Sequence, residues 1–338
     1  MVGEPGTVKT GETLSWLLKS YGLEVQSYEK RDGLWRVECG QGVFAVREYD
    51  GDSDRLGTAL AWQHFLAEKG CQGVPKIIRT KDGQNWARVD GKSCYLTGWV
   101  DKKEFNPEKG DHLLAAIEQL GHIHRLSRDF SPEKLSGFHN EMPWATVIQG
   151  RLSELLAHAR HLQAGRLRTD VERVFIENFN QLYQQGQEAL QGLVVGGYDA
   201  KLRENDQLLV NSFLKHKMGV INEGVVYTDL TRWTLGPPFM DLVLFLNSFL
   251  VLHKWDSSLV FRLLETYEKN NALDQEERTL LVLLLRLPWR FWLYVHQYFN
   301  HMESPAVLTE KMSSYINEIY WRDRCLDCLD DWVWREKE

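Results

Sequence analysis

The chain of 338 residues has no long uninterrupted apolar run. Its two most apolar stretches are LVLFLNSFLVL (242–252), too short to span a bilayer, and LLVLLLRLPWRFWLYV (280–295), which Arg286, Pro288 and Arg290 interrupt. Both read as buried helices, so a membrane is not an expected partner. An excess of basic charge is also missing. With 40 Lys and Arg against 47 Asp and Glu the formal net charge is -7, which leaves no electrostatic footprint for nucleic acid. The segment MVGEPGTVKTGETLSW lacks the basic and apolar regions of a secretory signal, and a cytosolic chain is expected. Cysteines are few and scattered, at 39, 71, 94, 325 and 328, which reads as reduced thiols. The Cys325-Leu-Asp-Cys328 spacing lacks the second Cys or His cluster that a four-ligand zinc site requires, so these two read as ordinary helix residues. Internal repeats and low-complexity tracts are absent.

What is there is globular in character: 43% hydrophobic and 26% charged residues, with 13 Trp to fill a core or face a partner. The length suits one large domain or two ordinary ones. Residues 22–50 alternate with period two around turns at Asp32-Gly33 and Gly40-Gln41-Gly42, predicting a three-stranded antiparallel meander. A helical period over 54–70 follows, then VPKIIRT, NWARVDG and SCYLTGWV, read as two more strands with turn chemistry between them. Beyond residue 101 long amphipathic helices dominate, at 109–128, through TVIQGRLSELLAHARHLQ and TDVERVFIENFNQLYQQGQEAL, and again around 239–252, 257–270, 274–296 and 308–333. A short β island over 211–233, NSFLKHKMGVINEGVVYTDLTRW, interrupts them. The expected class is α+β: a five-stranded antiparallel lobe over 1–98 and a mostly helical lobe over 99–338.

Three stretches carry a family resemblance. LAEKGCQGVPKIIRTKDGQNWARVDGKSCYLTGWVDKKEF (66–105), LAAIEQLGHIHRLS (114–127) and EGVVYTDLTRWTLGPPFMDLVLFL (223–246) resemble, in order and spacing, the aminoglycoside phosphotransferase and choline kinase branch of the protein-kinase-like fold. More narrowly, they resemble the bacterial spore coat kinase-like proteins of the CotS type. The resemblance spans about residues 12–330. It implies a two-lobed phosphotransferase architecture and a site in which a strand Lys pairs with a helix Glu, a His-x-Asp loop supplies the base, and an Asn and a later Asp bind metal. Fold alone does not establish activity.

Aligned to that pattern, most site positions differ. The strand Lys falls on Arg47, either a phosphate contact or an exposed strand charge, and Arg for Lys is not conservative at a fitted site. The helix that should supply the Glu has no acid between residues 55 and 67, although Gln63 is a candidate hydrogen-bond partner for Arg47. The base position becomes Ser212, whose hydroxyl has no useful basicity near neutral pH. The metal-binding Asn becomes Lys217, whose ammonium would repel a metal ion. Only Asp229 is retained, as a lone metal ligand or as the partner of Lys217 in a salt bridge. Asp206, ahead of QLLV, reads as a turn residue. His124 matches a structural helix-end His, and Asp241 in PPFMDLV resembles the Asp that braces the catalytic loop.

These readings support a catalytically inactive, pseudokinase-like spore coat protein with a structural or interaction role. Its expected partners are other coat proteins or a peptide in the cleft between the lobes. By the resemblance it is made in the mother-cell cytoplasm and placed in the spore coat. No cofactor is expected. Two alternatives stay open: an ATP- and Mg²⁺-dependent small-molecule phosphotransferase with rearranged groups, and a metal-independent nucleotide binder.

Overall fold

A computed structural model describes residues 12–31, 33–131, 144–198, 207–222 and 224–334. Asp32 and Asp206, both read as turn residues, lie outside the described residues. The period-two segments form β1 (Val25–Arg31), β2 (Leu34–Cys39) and β3 (Gly42–Tyr49), paired antiparallel in sequence order. Gly33 in the first turn has a φ of 76° and Gly42 opens β3 at 139°, conformations that favour glycine. β4 (Ile77–Ile78), β5 (Ala87–Val89) and β6 (Lys92–Gly98) complete the sheet in the order β1-β2-β3-β6-β4, with β5 also pairing β6. It is antiparallel throughout and carries one strand more than the five expected, because VPKIIRT, NWARVDG and SCYLTGWV each contribute a strand where two were expected, the first of them only the two-residue β4.

Ahead of the sheet lies α1 (Glu12–Ser20), not anticipated from the sequence because nine residues make a weak helical signal. Its Leu14, Leu17 and Leu18 are buried in one cluster with Val37, Phe44, Val46 and Leu96. Each such side chain contributes roughly 1.5–3 kcal/mol by leaving water. α2 (Ser53–Glu68) starts at Asp52, whose carboxylate accepts from the backbone N–H of Asp54 and Arg55. Trp62 on α2 donates at 2.8 Å to Ser127, the last residue of α3 (Gly110–Ser127).

The chain divides into two compact units. Unit 1 holds the described residues of Met1–Asn106, Asp111–Gly137 and Val210–Trp233. Besides the sheet it therefore contains most of α3 and a second, three-stranded sheet ordered β10-β9-β7, from β7 (Lys103–Glu104), β9 (Met218–Ile221) and β10 (Gly224–Tyr227).

Unit 2 holds α4 (Trp144–Gln163), α5 (Asp170–Val195), the strand pair β8 (Gln207–Leu209) and β11 (Thr234–Gly236), α6 (Phe239–Phe249), α7 (Ser257–Glu268), α8 (Gln275–Arg286), α9 (Trp289–Phe299) and α10 (Pro305–Val333). The single helix expected over 274–296 is broken in two. Leu287 takes an extended ψ of 133°, because the ring of Pro288 disfavours the helical conformation in the residue before it. None of the described helices is long and apolar enough to cross a membrane.

Candidate functional site

On β3, Ala45 and Arg47 are two residues apart and share one face. The sheet register sets Ala45 opposite Thr97 and Arg47 opposite Tyr95 of β6. The Arg47 guanidinium makes a long contact of 3.5 Å with the Thr97 hydroxyl. Gln63 does not supply the bond suggested for it: buried on α2, it donates its amide at 2.7 Å to the carbonyl of Pro75. Arg47 is half-buried and has no acidic partner among the described residues.

The second part of the site comes from the 211–233 island. Asn211 has a φ of 49°, a left-handed conformation that Asn tolerates better than most residues, and Ser212 follows it half-buried. Phe213 is buried edge-on to Tyr227 at a centroid distance of 6.2 Å, and the Tyr227 hydroxyl donates at 2.8 Å to the carbonyl of Ala116 on α3. That aromatic anchor fixes the segment ahead of a single 3₁₀ turn, Lys215–Lys217. Thr228 then donates to the Lys217 carbonyl twice, from its backbone N–H at 2.9 Å and its hydroxyl at 3.0 Å. The turn and the end of β10 are thus tied together, and their side chains meet.

The meeting is an ion pair. Lys217 Nζ lies 2.5 Å from Asp229 Oδ2, with side-chain exposures of 18% and 15%. Asp229 Oδ1 accepts from both the backbone N–H (2.9 Å) and the hydroxyl (2.6 Å) of Thr231. Burial pushes the Asp229 carboxyl up, but the bonds from Lys217 and Thr231 outweigh it and hold it below the ordinary carboxylate value.

Arg47, Lys217 and Asp229 line one cavity of about 170 Å³. Its apolar side is Leu34, Ala45 and Val100; its polar side adds Lys102 and His216. Three cations against one carboxylate leave a formal excess of two positive charges when His216 is neutral. Ser212 does not line it. His124 is fully buried in the last turn of α3. Asp241 belongs to unit 2, fully buried in the first turn of α6, where a carboxylate suits the positive end of the helix dipole.

Lys102, His216 and Thr231 were not singled out from the sequence. Lys102 is positioned by a long-range pairing, Lys103 opposite Val220 and Glu104 opposite Gly219, that brings β7 onto β9. Its stem lies over Gly219, where a Cβ would come within 2.2 Å of Lys102 Cδ, and its ammonium donates to the Met218 carbonyl at 3.3 Å. The doubled lysine in DKKEF was the available signal, but which of the two faces the cavity depends on that register. The described residues hold no group of three or more His, Cys, Asp or Glu able to bind a metal ion. Cys325 is buried and Cys328 exposed, both free thiols.

An antiparallel sheet with an inserted helix, a β hairpin carrying the Asp229 pocket, and a helical remainder define the kinase-like fold of the aminoglycoside phosphotransferase type. A structure of an aminoglycoside phosphotransferase from Alicyclobacillus acidocaldarius superposes with a TM-score of 0.83 at 15% identity, over 94% of this chain and 95% of that one. A spectinomycin phosphotransferase in complex with ADP and spectinomycin gives a TM-score of 0.57 at 12% identity, over 93% and 98% of the two chains. Residues 14–327 match the family described as "Spore coat putative kinase YutH", and the chain belongs to that family. It is also 24% identical over 272 residues to the spore coat protein S of Bacillus subtilis, covering 79% of this chain and 77% of that protein.

Proposed function

We propose that this family member is catalytically inactive and serves the spore coat as a structural or interaction component, made in the mother-cell cytoplasm and associated with other coat proteins. The observation that carries the reading is the contact between Lys217 Nζ and Asp229 Oδ2. In a phosphotransferase Asp229 would hold a metal ion; here its two oxygens are engaged by an ammonium and by Thr231. Mg²⁺ requires near-octahedral oxygen ligation, and the position of the usual second protein ligand is Lys217 itself, a positive charge. The residues present do not fit the metal.

Two further features support the reading. Ser212, at the base position, cannot take a proton from an attacking hydroxyl near neutral pH. The cavity of about 170 Å³ also falls below the roughly 300–1,000 Å³ of ordinary ligand pockets.

Titration with ATP, with and without Mg²⁺, tests the proposal. The expected result is no Mg²⁺-dependent rise in thermal midpoint and no phosphorylation of added hydroxyl substrates. Lys217→Asn should restore a metal-dependent response if the ammonium is what excludes the ion. A strong Mg²⁺-dependent shift in the unaltered chain, lost in Asp229→Ala, would instead support a phosphotransferase with rearranged groups.

A further inference from the structure

The outward stripe of α10 holds large rings in water. Tyr320, Trp321 and Trp334 are 55%, 46% and 72% exposed, and helical spacing puts them on one side of the rod with Arg324, Cys328 and Asp331. The opposite side, through Met312, Ile319, Leu326 and Leu329, is the buried one. Tyr320 and Trp321 meet edge-on at 5.2 Å, and the Arg324 guanidinium lies 5.6 Å from the Tyr320 centroid while donating to its hydroxyl at 3.1 Å. The rings and the cation hold one another in a preformed platform. Trp, Tyr and Arg are the residue types that carry most binding energy at protein interfaces.

Charge is uneven along the same stripe. Asp327 and Asp330 share Arg286, at 3.1 and 3.6 Å. Asp331 has no ion pair among the described residues, although it stands one turn from Asp327 and in a last helical turn without any basic residue. Like charges four positions apart repel, and the helix dipole is negative at that end. Arg324, two turns earlier, has only the neutral Tyr320 as a side-chain partner among the described residues. The two lie about 10 Å apart along the axis, too far to meet within one helix.

Reversing the stripe about the midpoint between Asp327 and Cys328 exchanges Arg324 with Asp331 and Trp321 with Trp334. Two α10 stripes laid antiparallel on a two-fold axis at that point therefore set each Arg324 opposite the other copy's Asp331, and each Trp334 against the other copy's Tyr320 and Trp321 platform. We propose that this face is a homodimer interface, occupied by the same stripe of a second copy of this chain. The proposal goes beyond the inactive reading and does not depend on it. About 26 Å of helix, from Asn317 to Trp334, makes a contact at the small end of specific interfaces, and a dissociation constant of about 1–100 μM is expected.

Sedimentation equilibrium of the full chain from about 1 to 300 μM tests it. The dimer should grow with concentration, and a short bismaleimide should join two copies through Cys328, which lies beside the axis while the other four thiols are buried. Arg324→Asp and Asp331→Arg should each weaken dimerisation by about tenfold or more, because like charges then face each other. An equimolar mixture of the two variants should regain it, since the mixed dimer restores both ion pairs; a loss of fold could not be repaired in that way. A chain that stays monomeric over the whole range overturns the proposal in favour of a different protein as occupant. A dimer that is indifferent to both variants and is not joined through Cys328 overturns the placement of the interface. Loss in both variants without recovery in the mixture overturns the antiparallel pairing.

Discussion

Replacing Lys217 by methionine keeps the length and apolar stem of the side chain and removes only the ammonium. Asp229 would keep its two bonds from Thr231 but lose its counter-charge in a setting where its side chain is 15% exposed. Exposed ion pairs are worth about 0.2–1 kcal/mol, whereas stranding one member of a buried pair costs about 3–5 kcal/mol. With its partner at 18% exposure this pair lies between those limits, and a loss of about 2–3 kcal/mol is expected. For a cooperative unit of about 150–250 residues that lowers the thermal midpoint by roughly 5–10 °C. The double variant Lys217→Met with Asp229→Asn should lose less than the two single losses combined, by about 1 kcal/mol or more.

The pH dependence follows from the direction of the Asp229 shift. Its folded carboxyl is held below its ordinary value of 3.8, so the pair's stabilisation is fully present above about pH 4 and disappears as pH falls through the folded value. The deficit of Lys217→Met relative to the unaltered chain should therefore be complete at pH 7 and shrink in acid. Circular dichroism melts across that range read both quantities. Equal stability at pH 7, strictly additive single losses, or a deficit that grows as pH falls would each refute the reading of Lys217 and Asp229 as a coupled, stabilising ion pair.

Other outcomes are equally open to measurement. Of the five thiols only Cys328 is exposed, and burial pushes Cys94 up to about 11 and Cys325 up to about 12; a thiol reagent should titrate one cysteine rapidly in the native chain and all five after denaturation. Arg278 is 5% exposed, donates to Glu268 at 2.8 and 3.0 Å and lies 5.0 Å from the Trp332 ring centroid, so Arg278→Met should cost about 3–5 kcal/mol in denaturant titration. Thr169 and Glu172 form a capping box at the start of α5, and Thr169→Ala should cost about 1 kcal/mol.

The strands of the first sheet were legible because alternation and turn glycines are local signals; β2 and β3 pair as the Gly40-Gln41-Gly42 turn predicts. The partner of Asp229 was legible for a different reason. Charge type survives any small error of alignment, and Lys217 is the cation that reaches Asp229. Elements that depend on distant contacts were not legible. The place of Lys102 follows from a two-residue pairing between β7 and β9, whose partners are more than a hundred positions apart. The family pattern of a strand cation facing a helix acid pointed to Gln63 as a partner for Arg47, yet its amide answers to the carbonyl of Pro75, a loop atom that the pattern does not locate. The break at Pro288 was visible as a residue but hidden by the apolar period running through it on both sides.

The counter-ion of Asp229 is part of the polypeptide. A dissociable ion occupies its site in proportion to its free concentration, so chelation or dilution can empty it. An ammonium on a four-carbon stem has a local concentration fixed by its tether and no independent way to leave. The charge of this pocket is therefore inherited with the gene rather than drawn from the medium, and it should be the same in a chelating buffer as in a salt-rich one. The countercharge on Asp229 therefore stays in place whatever ions surround the protein.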